Sequence, residues 1–119
     1  MYLPFKLKQL SNSLKWKIQR FNKSYADIDL WCFNSWFLEL IPKMLLELSD
    51  RMWGCPIDME HDEWKDYLTE MAKHFQEACK IDDCEELEES DYKNHCDYCM
   101  EEFRKGIKMF EKRFWDLWD

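Results

Sequence analysis

The sequence predicts an all-α fold, a compact bundle of about four helices with one long, kinked central helix. Residues that interrupt helices are scarce, since the 119-residue chain has two glycines and three prolines. Valine is absent and threonine occurs once, whereas β-strands favour β-branched residues. Seven tryptophans, eight phenylalanines and five tyrosines supply the apolar area of one core. We therefore expect a single helical domain over residues 1–119.

The first helix is predicted over residues 5–23. Its apolar residues recur at intervals of three and four, which places them on one helix face. They are Leu7, Leu10, Leu14, Ile18 and Phe21. We expect this face to pack against the core. Residues 1–24 hold six basic residues and no acidic one, so the predicted helix is basic.

The second helix is predicted over residues 27–52. Ser24 and Asp27 have the spacing of a capping box at its start. Apolar residues occupy nearly all of its faces, which is typical of a central helix or of one that contributes to an oligomer interface. Pro42 lacks the backbone donor that would bond to Leu38, so we expect a kink near Leu38 and Glu39.

Two further helices are predicted after a loop that contains Gly54 and Pro56. The third spans about residues 63–80, with Asp62 as its cap. The fourth spans about residues 90–118, after an acidic connection. Both carry apolar residues at helical spacing, here Trp64, Leu68, Met71 and Phe75, and then Tyr92, Cys96, Cys99, Phe103, Phe110, Phe114 and Leu117.

Charge is divided unevenly along the chain. The net charge is −8, but residues 1–24 carry +6 and residues 25–119 carry −14. The acidic body disfavours direct DNA binding and favours a basic protein surface as partner. No apolar run has the length of a signal peptide or of a membrane span, so we expect a soluble, cytoplasmic protein that does not bind a membrane.

Four cysteines and a histidine could form a zinc site. Cys96 and Cys99 have the favoured spacing, Cys79 and Cys84 form a wider upstream pair, and His95 could replace one of the four cysteines. The pairs are closer together than in usual zinc fingers. The favoured interpretation is therefore that these cysteines are buried thiols that pack in the core, with no cofactor.

The sequence lacks the motifs of common enzymes. We find no glycine-rich phosphate loop, no Gly-x-Ser-x-Gly and no His-Glu-x-x-His. Glu85 with Glu88, and Glu86 with Glu89, have the spacing of magnesium-binding helical carboxylates. A second pair on a facing helix is not evident, so a solvated acidic connection is the favoured interpretation. We expect a protein without enzymatic activity.

Aromatic residues exceed what one core face needs, and some are expected at an interface. Two lie on the central helix and two in the terminal stretch FWDLWD. Together with the acidic connection, the residues expected to contact a partner are Trp36, Phe37, Glu85, Glu86, Glu88, Glu89, Trp115 and Trp118.

Several motifs occur together within residues 20–119: YADIDLW, an apolar helix with a proline, DEWKDY and the terminal LWD. Their residues are Tyr25, Asp27, Asp29, Leu30, Trp31, Pro42, Glu63, Trp64, Leu117, Trp118 and Asp119. This pattern resembles a family of small, uncharacterised helical proteins encoded by bacteriophages and prophages. The resemblance implies a phage origin and no particular activity, and the cysteine-bearing segment 79–99 departs from the pattern.

The leading hypothesis is a non-enzymatic phage accessory protein that binds a host protein. Its specific form is a counter-defence inhibitor, whose acidic surface mimics nucleic acid and occupies a nucleic-acid-binding defence complex. An alternative is a homo-oligomeric sponge for a nucleotide signal, with Lys15, Lys17 and Arg20 converging across subunits. A lower alternative is a metal-dependent nucleotide hydrolase that uses the four glutamates.

Overall fold

The computed structural model describes residues 5–83 and 88–118, and all regular secondary structure in those residues is helical. This confirms the all-α prediction. The helices are α1 (Phe5–Lys23), α2 (Asp27–Trp31), α3 (Phe33–Arg51), α4 (His61–Cys79) and α5 (Glu89–Arg113). Short 3₁₀ turns follow α4 at Lys80–Asp82 and α5 at Phe114–Asp116. The chain forms two compact units, Met1–Trp36 and Phe37–Asp119, and the division falls inside α3.

The first unit is an α1–α2 corner that turns at Ser24. Ser24 has a φ of 71°, in the left-handed region, and its amide donates to the carbonyl of Arg20 at 2.9 Å. The predicted capping box of Ser24 and Asp27 is therefore wrong, because Ser24 ends α1 instead of starting the next helix. The cap of α2 is Ala26, whose amide donates to Asp29 Oδ2 at 2.8 Å.

Polar contacts hold α2 to α1. Arg20 donates to both oxygens of Asp29, from Nε at 3.2 Å and from Nη2 at 2.8 Å. The Gln19 amide donates to Asp27 Oδ2 at 2.8 Å and accepts from the Asp27 backbone at 2.9 Å. Asp29 is buried, and its hydrogen bonds from Arg20 and then from Ala26 lower its pKa. The corner therefore rests on charge-assisted hydrogen bonds.

The apolar face of α1 is not covered within the first unit. Its described members, Leu10, Leu14, Ile18 and Phe21, are each more than half exposed. The expectation that this face packs against the core stays a prediction, because α1 and the core belong to different units. Contacts from α1 to α2 use the polar side chains of Gln19 and Arg20 instead.

The predicted single helix over residues 27–52 is two helices. Cys32 leaves the helical conformation, with φ −126° and ψ 54°, and separates α2 from α3. We attribute the break to the anchoring of α2 by Arg20 and Gln19. The chain is helical through Leu38 and Glu39, where the kink was predicted, and α3 contains Pro42 as a buried residue.

The second unit holds the hydrophobic core, built from α3, α4 and α5. Its buried centre consists of Leu45, Met52, Trp64, Leu68, Met71, Ala72 and Phe75. Helices α4 and α5 form an antiparallel hairpin, since contacts join Tyr67 to Met109, His74 to Glu102 and Lys80 to His95. The hairpin brings the start of α4 to the end of α5.

Helix boundaries in this hairpin differ from prediction by a few residues. Glu60, not Asp62, is the cap of α4, and its side chain forms no capping hydrogen bond. The fourth predicted helix ends at Arg113 instead of Trp118, and a 3₁₀ turn with an irregular end follows. Among the described residues, no helix combines the length and the apolar character that crossing a membrane requires.

Candidate functional site

A cleft of about 600 Å³ lies in the second unit, where the loop after α3 meets the end of the chain. We call it the tryptophan cleft. It is lined by Trp53, Gly54, Cys55, Pro56, Trp64, Asp116 and Trp118. Its volume is within the range of roughly 300–1,000 Å³ that is usual for small-molecule sites. Three indoles and one carboxylate therefore share a single concave surface.

Trp64 is the buried wall of the cleft, whereas Trp53 and Trp118 are its exposed walls. Trp64 is 1% exposed on the first turn of α4 and stacks on Tyr67, with ring centroids 5.6 Å apart. The Tyr67 hydroxyl donates to the Met109 carbonyl at 2.8 Å, which ties this aromatic pair to α5. Trp53 is 90% exposed and Trp118 is 73% exposed. The cleft thus has one buried wall that is fixed in place and two exposed aromatic walls.

The loop between α3 and α4 positions Trp53 and Pro56. Proline cannot continue the preceding helix by donating a backbone hydrogen bond, so the chain turns here. The turn is closed by the Met59 amide, which donates to the Pro56 carbonyl at 3.0 Å. The Cys55 thiol lies 3.2 Å from the Met59 carbonyl and closes the same loop.

One guanidinium and two carboxylates set the charge at the cleft. Arg113 donates to Asp58 from Nη1 at 3.0 Å and from Nη2 at 2.8 Å. Its Nη1 also reaches Asp116 Oδ2 at a longer 3.4 Å. These bonds raise the pKa of Arg113, and the bond from Arg113 lowers the pKa of Asp58. The three groups together carry a formal charge of −1.

Beside the cleft lies an acidic stretch, residues 58–66, which we call the acidic segment. It holds five carboxylates and one lysine, for a formal charge of −4 with histidine neutral. The carboxylates are all exposed: Asp58, Glu60, Asp62, Glu63 and Asp66. Asp62 and Glu63 lie in the first turn of α4, where the helix dipole favours negative charge. The segment therefore contributes a negative electrostatic potential beside the cleft.

Of the residues predicted to contact a partner, only Trp118 is a described member of the cleft. Trp115 is 86% exposed but outside it. Trp36 belongs to the first unit and lies near Phe33, with ring centroids 5.4 Å apart. Phe37 packs edge-on against Phe75 in the core.

Of the predicted glutamates, the two that the structure describes, Glu88 and Glu89, do not line this cleft. Glu88 and Glu89 are exposed at the start of α5, beside a shallow depression that Tyr92 and Lys93 also line. Glu85 and Glu86 lie outside the described residues. The assignment of all four glutamates as partner contacts, or as magnesium ligands, stays a prediction.

Sequence reasoning missed Trp53, Trp64 and Asp116 as members of a site. The signal was present in the stretch WGCPIDMEHDE, where an aromatic residue, two turn residues and four acids follow one another. By its pattern alone this stretch predicts a connecting loop. Because the other wall comes from residues 116–118, only the three-dimensional structure joins the two parts.

The residues predicted for a nucleotide sponge lie on α1. Arg20 is paired with Asp29, and this hydrogen bond raises the pKa of its guanidinium. Lys15 Nζ lies 3.9 Å from Asp27, and Lys17 is exposed. The Asp29 carboxylate neutralises the Arg20 charge that a sponge would use, although the Arg20 side chain is 48% exposed, and the sponge stays a prediction.

The cysteine cluster lies at the closed end of the α4–α5 hairpin. Cys99 is buried, whereas Cys79 and Cys96 are half-buried. His95 Nε2 lies 2.6 Å from the Lys80 carbonyl, so it acts as the donor there, and it is 3.7 Å from Cys99 Sγ. Burial raises the pKa of Cys99 and favours the neutral thiol.

A metal at this cluster stays a prediction. In the part of the chain that the structure describes, no group of three or more histidine, cysteine, aspartate or glutamate side chains is arranged to hold a metal ion. Cys84, the fourth member of the predicted zinc set, lies outside the described residues. The structure buries the Cys99 side chain, as the buried-thiol interpretation predicts for this residue.

No protein-family model, no curated protein and no solved structure matches the chain. The chemistry of the site is therefore inferred from its own residues.

Proposed function

We propose that the protein acts by binding a basic protein partner through its second unit, and not by catalysis. The observation that carries this proposal is the tryptophan cleft beside the acidic segment. Exposed tryptophans are typical anchors of protein interfaces. A surrounding field of one sign steers a partner of the opposite sign toward them. The two features together suit a basic surface that also offers groups able to pack on indole rings.

Charge in the second unit extends beyond the cleft. Residues 37–119 hold 23 acidic and 11 basic residues, a formal net charge of −12. On α4, Asp62, Asp66 and Glu70 are exposed and spaced four residues apart, so they share one helix face. This face continues the negative field of the acidic segment along the helix.

The finer form of the proposal is a counter-defence role. The sequence resembles a phage family, and a negative surface with aromatic anchors could replace nucleic acid on a basic host protein. In this proposal the target is a nucleic-acid-binding defence complex in the host cytoplasm. The protein would compete with nucleic acid for that surface, and it would not itself bind DNA.

The test combines affinity capture with charge neutralisation. The full chain is used as bait in a bacterial lysate, and binding of each purified candidate is then measured from ~50 to ~500 mM salt. We expect affinity to fall steeply with salt. Neutralising three charges of the acidic segment, with Asp62→Asn, Glu63→Gln and Asp66→Asn, should weaken binding about tenfold or more at low salt.

A matched control neutralises three exposed acids on α5, with Asp91→Asn, Asp97→Asn and Glu101→Gln. Asp91 and Asp97 lie toward the other end of the α4–α5 hairpin and Glu101 lies at the middle of α5, away from the acidic segment, so we expect a change of less than about twofold. Equal loss in both variants, or an affinity that does not change with salt, would contradict the proposal. Competition with a nucleic-acid ligand of the captured partner tests the counter-defence form.

A further inference from the structure

We propose that the tryptophan cleft binds the guanidinium group of an arginine side chain that the partner presents, with Asp116 as its carboxylate acceptor. This inference rests on the proposed basic partner and assigns the group that enters the cleft. The lining of the cleft, its charge and its size each point to this ligand.

The lining offers aromatic faces for a cation. Tryptophan has the most favourable ring for cation–π contact, and arginine uses such contacts more often than lysine. Trp53 and Trp118 both line the cleft and are 90% and 73% exposed. Trp64 is only 1% exposed and forms the buried wall of the cleft, fixed by stacking on Tyr67. A planar guanidinium can stack on such a face while its edge remains free for hydrogen bonds.

The charged groups at the cleft have a net negative charge that a second cation would neutralise. Arg113 makes its two short hydrogen bonds to Asp58, at 2.8 and 3.0 Å, and only a 3.4 Å contact to Asp116. The Asp116 side chain is 38% exposed, so a ligand can reach it. A carboxylate has about four lone-pair sites, and a guanidinium can satisfy two of them in parallel. A second guanidinium would bring the Arg113, Asp58 and Asp116 group to neutrality.

The shape of the cleft favours arginine on a peptide over a free small cation. About 600 Å³ is more space than one side chain fills, so residues on either side of the arginine can enter as well. Pro56 and Cys55 provide apolar contact for that flanking chain. Lysine fits less well, because its ammonium is strongly hydrated and cannot stack while it pairs with the carboxylate.

The test follows the indole N–H resonances of the full chain with ¹⁵N-labelled tryptophan. The probe is an acetylated, amidated Gly-Arg-Gly peptide, and the matched control contains citrulline, which has the shape of arginine without its charge. We expect the arginine peptide to shift the Trp53 and Trp118 resonances in a saturable way. The affinity obtained from these shifts should be at least about tenfold lower for the citrulline peptide. A lysine peptide should bind more weakly than arginine. The resonances are assigned from single Trp→Phe variants.

Two variants probe the cleft directly. Asp116→Asn keeps the shape and removes the charge, and Trp118→Ala removes one aromatic face. Each should weaken arginine-peptide binding by about tenfold. Trp115→Ala is the control, since this residue is 86% exposed, three positions away and outside the cleft. It should leave binding unchanged, and circular dichroism should show the same helicity for all three variants.

Equal binding of arginine and citrulline peptides would overturn the inference, as would binding that persists in both cleft variants. Absence of any shift with the arginine peptide at millimolar concentration would overturn it too. Failure of the proposed function has a different signature. In that case no salt-dependent protein partner is found, while the arginine-specific shifts and their loss in Asp116→Asn are still observed.

Discussion

At the residue scale, the His74–Glu102 pair is the main polar contact inside the α4–α5 hairpin. His74 Nδ1 lies 2.5 Å from Glu102 Oε2, and both side chains are more than four-fifths buried. Lys105 Nζ lies 3.3 Å from the other carboxylate oxygen, and Glu70 lies 3.6 Å from His74 Nε2. The bond from His74, followed by that from Lys105, lowers the pKa of Glu102. The ionised carboxylate therefore stabilises the folded state.

We predict that Glu102→Gln lowers the free energy of unfolding by about 1–2 kcal/mol at neutral pH. Because the folded state lowers the pKa of Glu102, the stabilisation is present above the ordinary glutamate value of 4.5 and is lost as the pH falls through the lowered pKa. The difference between wild type and variant should therefore shrink at acidic pH. Urea unfolding at pH 7, 5 and 3.5 measures it.

Glu101→Gln is the control for this prediction, because Glu101 is exposed and pairs with Arg104 at the surface. We expect a change within about 0.5 kcal/mol at all three pH values. If the cost of Glu102→Gln stays the same at pH 3.5, charge on the carboxylate is not its cause.

Residue pairs of this kind were the least predictable part of the sequence. Asp29 lies in the first turn of α2, where the helix dipole favours a negative charge. Its partner, Arg20, enters the sequence-based predictions only as a ligand-binding residue of the alternative nucleotide sponge. The pairing depends on the turn at Ser24, which reverses the chain between them, and serine seldom adopts a positive φ. No periodic pattern in the sequence carries that information.

At the element scale, Gly106 sets how closely α5 approaches α4. A Cβ atom at this position would lie 2.9–3.1 Å from three ring carbons of Phe75. Phe75 cannot move away freely, because its ring contacts Phe37, Phe103 and Phe110. Glycine is thus required here by packing, although it is an unfavourable residue inside a helix.

We predict that Gly106→Ala destabilises the protein by about 1 kcal/mol. Overpacking typically costs about 1–3 kcal/mol, and the better helix propensity of alanine returns about 1 kcal/mol of that. Gly54→Ala is the control, since no atom lies within 4 Å of a Cβ there and its φ is not positive. It should be neutral or slightly stabilising. Thermal unfolding of the two variants measures the difference, and a stabilised Gly106→Ala would contradict the close approach.

Helices with one apolar stripe were predictable, and the helix without one was not. The stripe of Trp64, Leu68, Met71 and Phe75 placed α4 to within two residues, because each position is buried on the same face. The region 27–52 has apolar residues on nearly all faces, so its pattern contains no signal of where one helix ends and the next begins. The break at Cys32 was missed for this reason.

At the scale of the whole molecule, the main hydrophobic cluster of the described residues lies in the second unit. Its buried members and the residues packed against them fall between Phe37 and Leu117. We predict that a chain starting at Phe33, which preserves the start of α3, still unfolds cooperatively in urea. The slope of the transition should fall with the shorter chain, since it scales with the surface exposed on unfolding. A broad, non-cooperative transition would show that residues 1–32 are needed for the core.

The overall division of charge was predictable from the sequence, but the cleft was not. Charges can be counted along the chain, and they gave a basic first helix and an acidic remainder. The cleft combines residues 53–64 with residues 116–118, more than fifty positions apart. Their meeting follows from the antiparallel α4–α5 hairpin and from the Arg113–Asp58 bond, which only the folded chain reveals.

The distribution of tryptophans has a consequence for spectroscopy. Trp31, Trp53, Trp115 and Trp118 are each more than 70% exposed, and Trp64 alone is fully buried among the seven indoles. Most of the intrinsic fluorescence therefore arises from rings that water already surrounds in the folded state. Denaturation should shift the emission maximum only slightly, even when the core is lost. Quenching by iodide or acrylamide, in contrast, should be strong in the native protein and should fall when a partner covers the cleft.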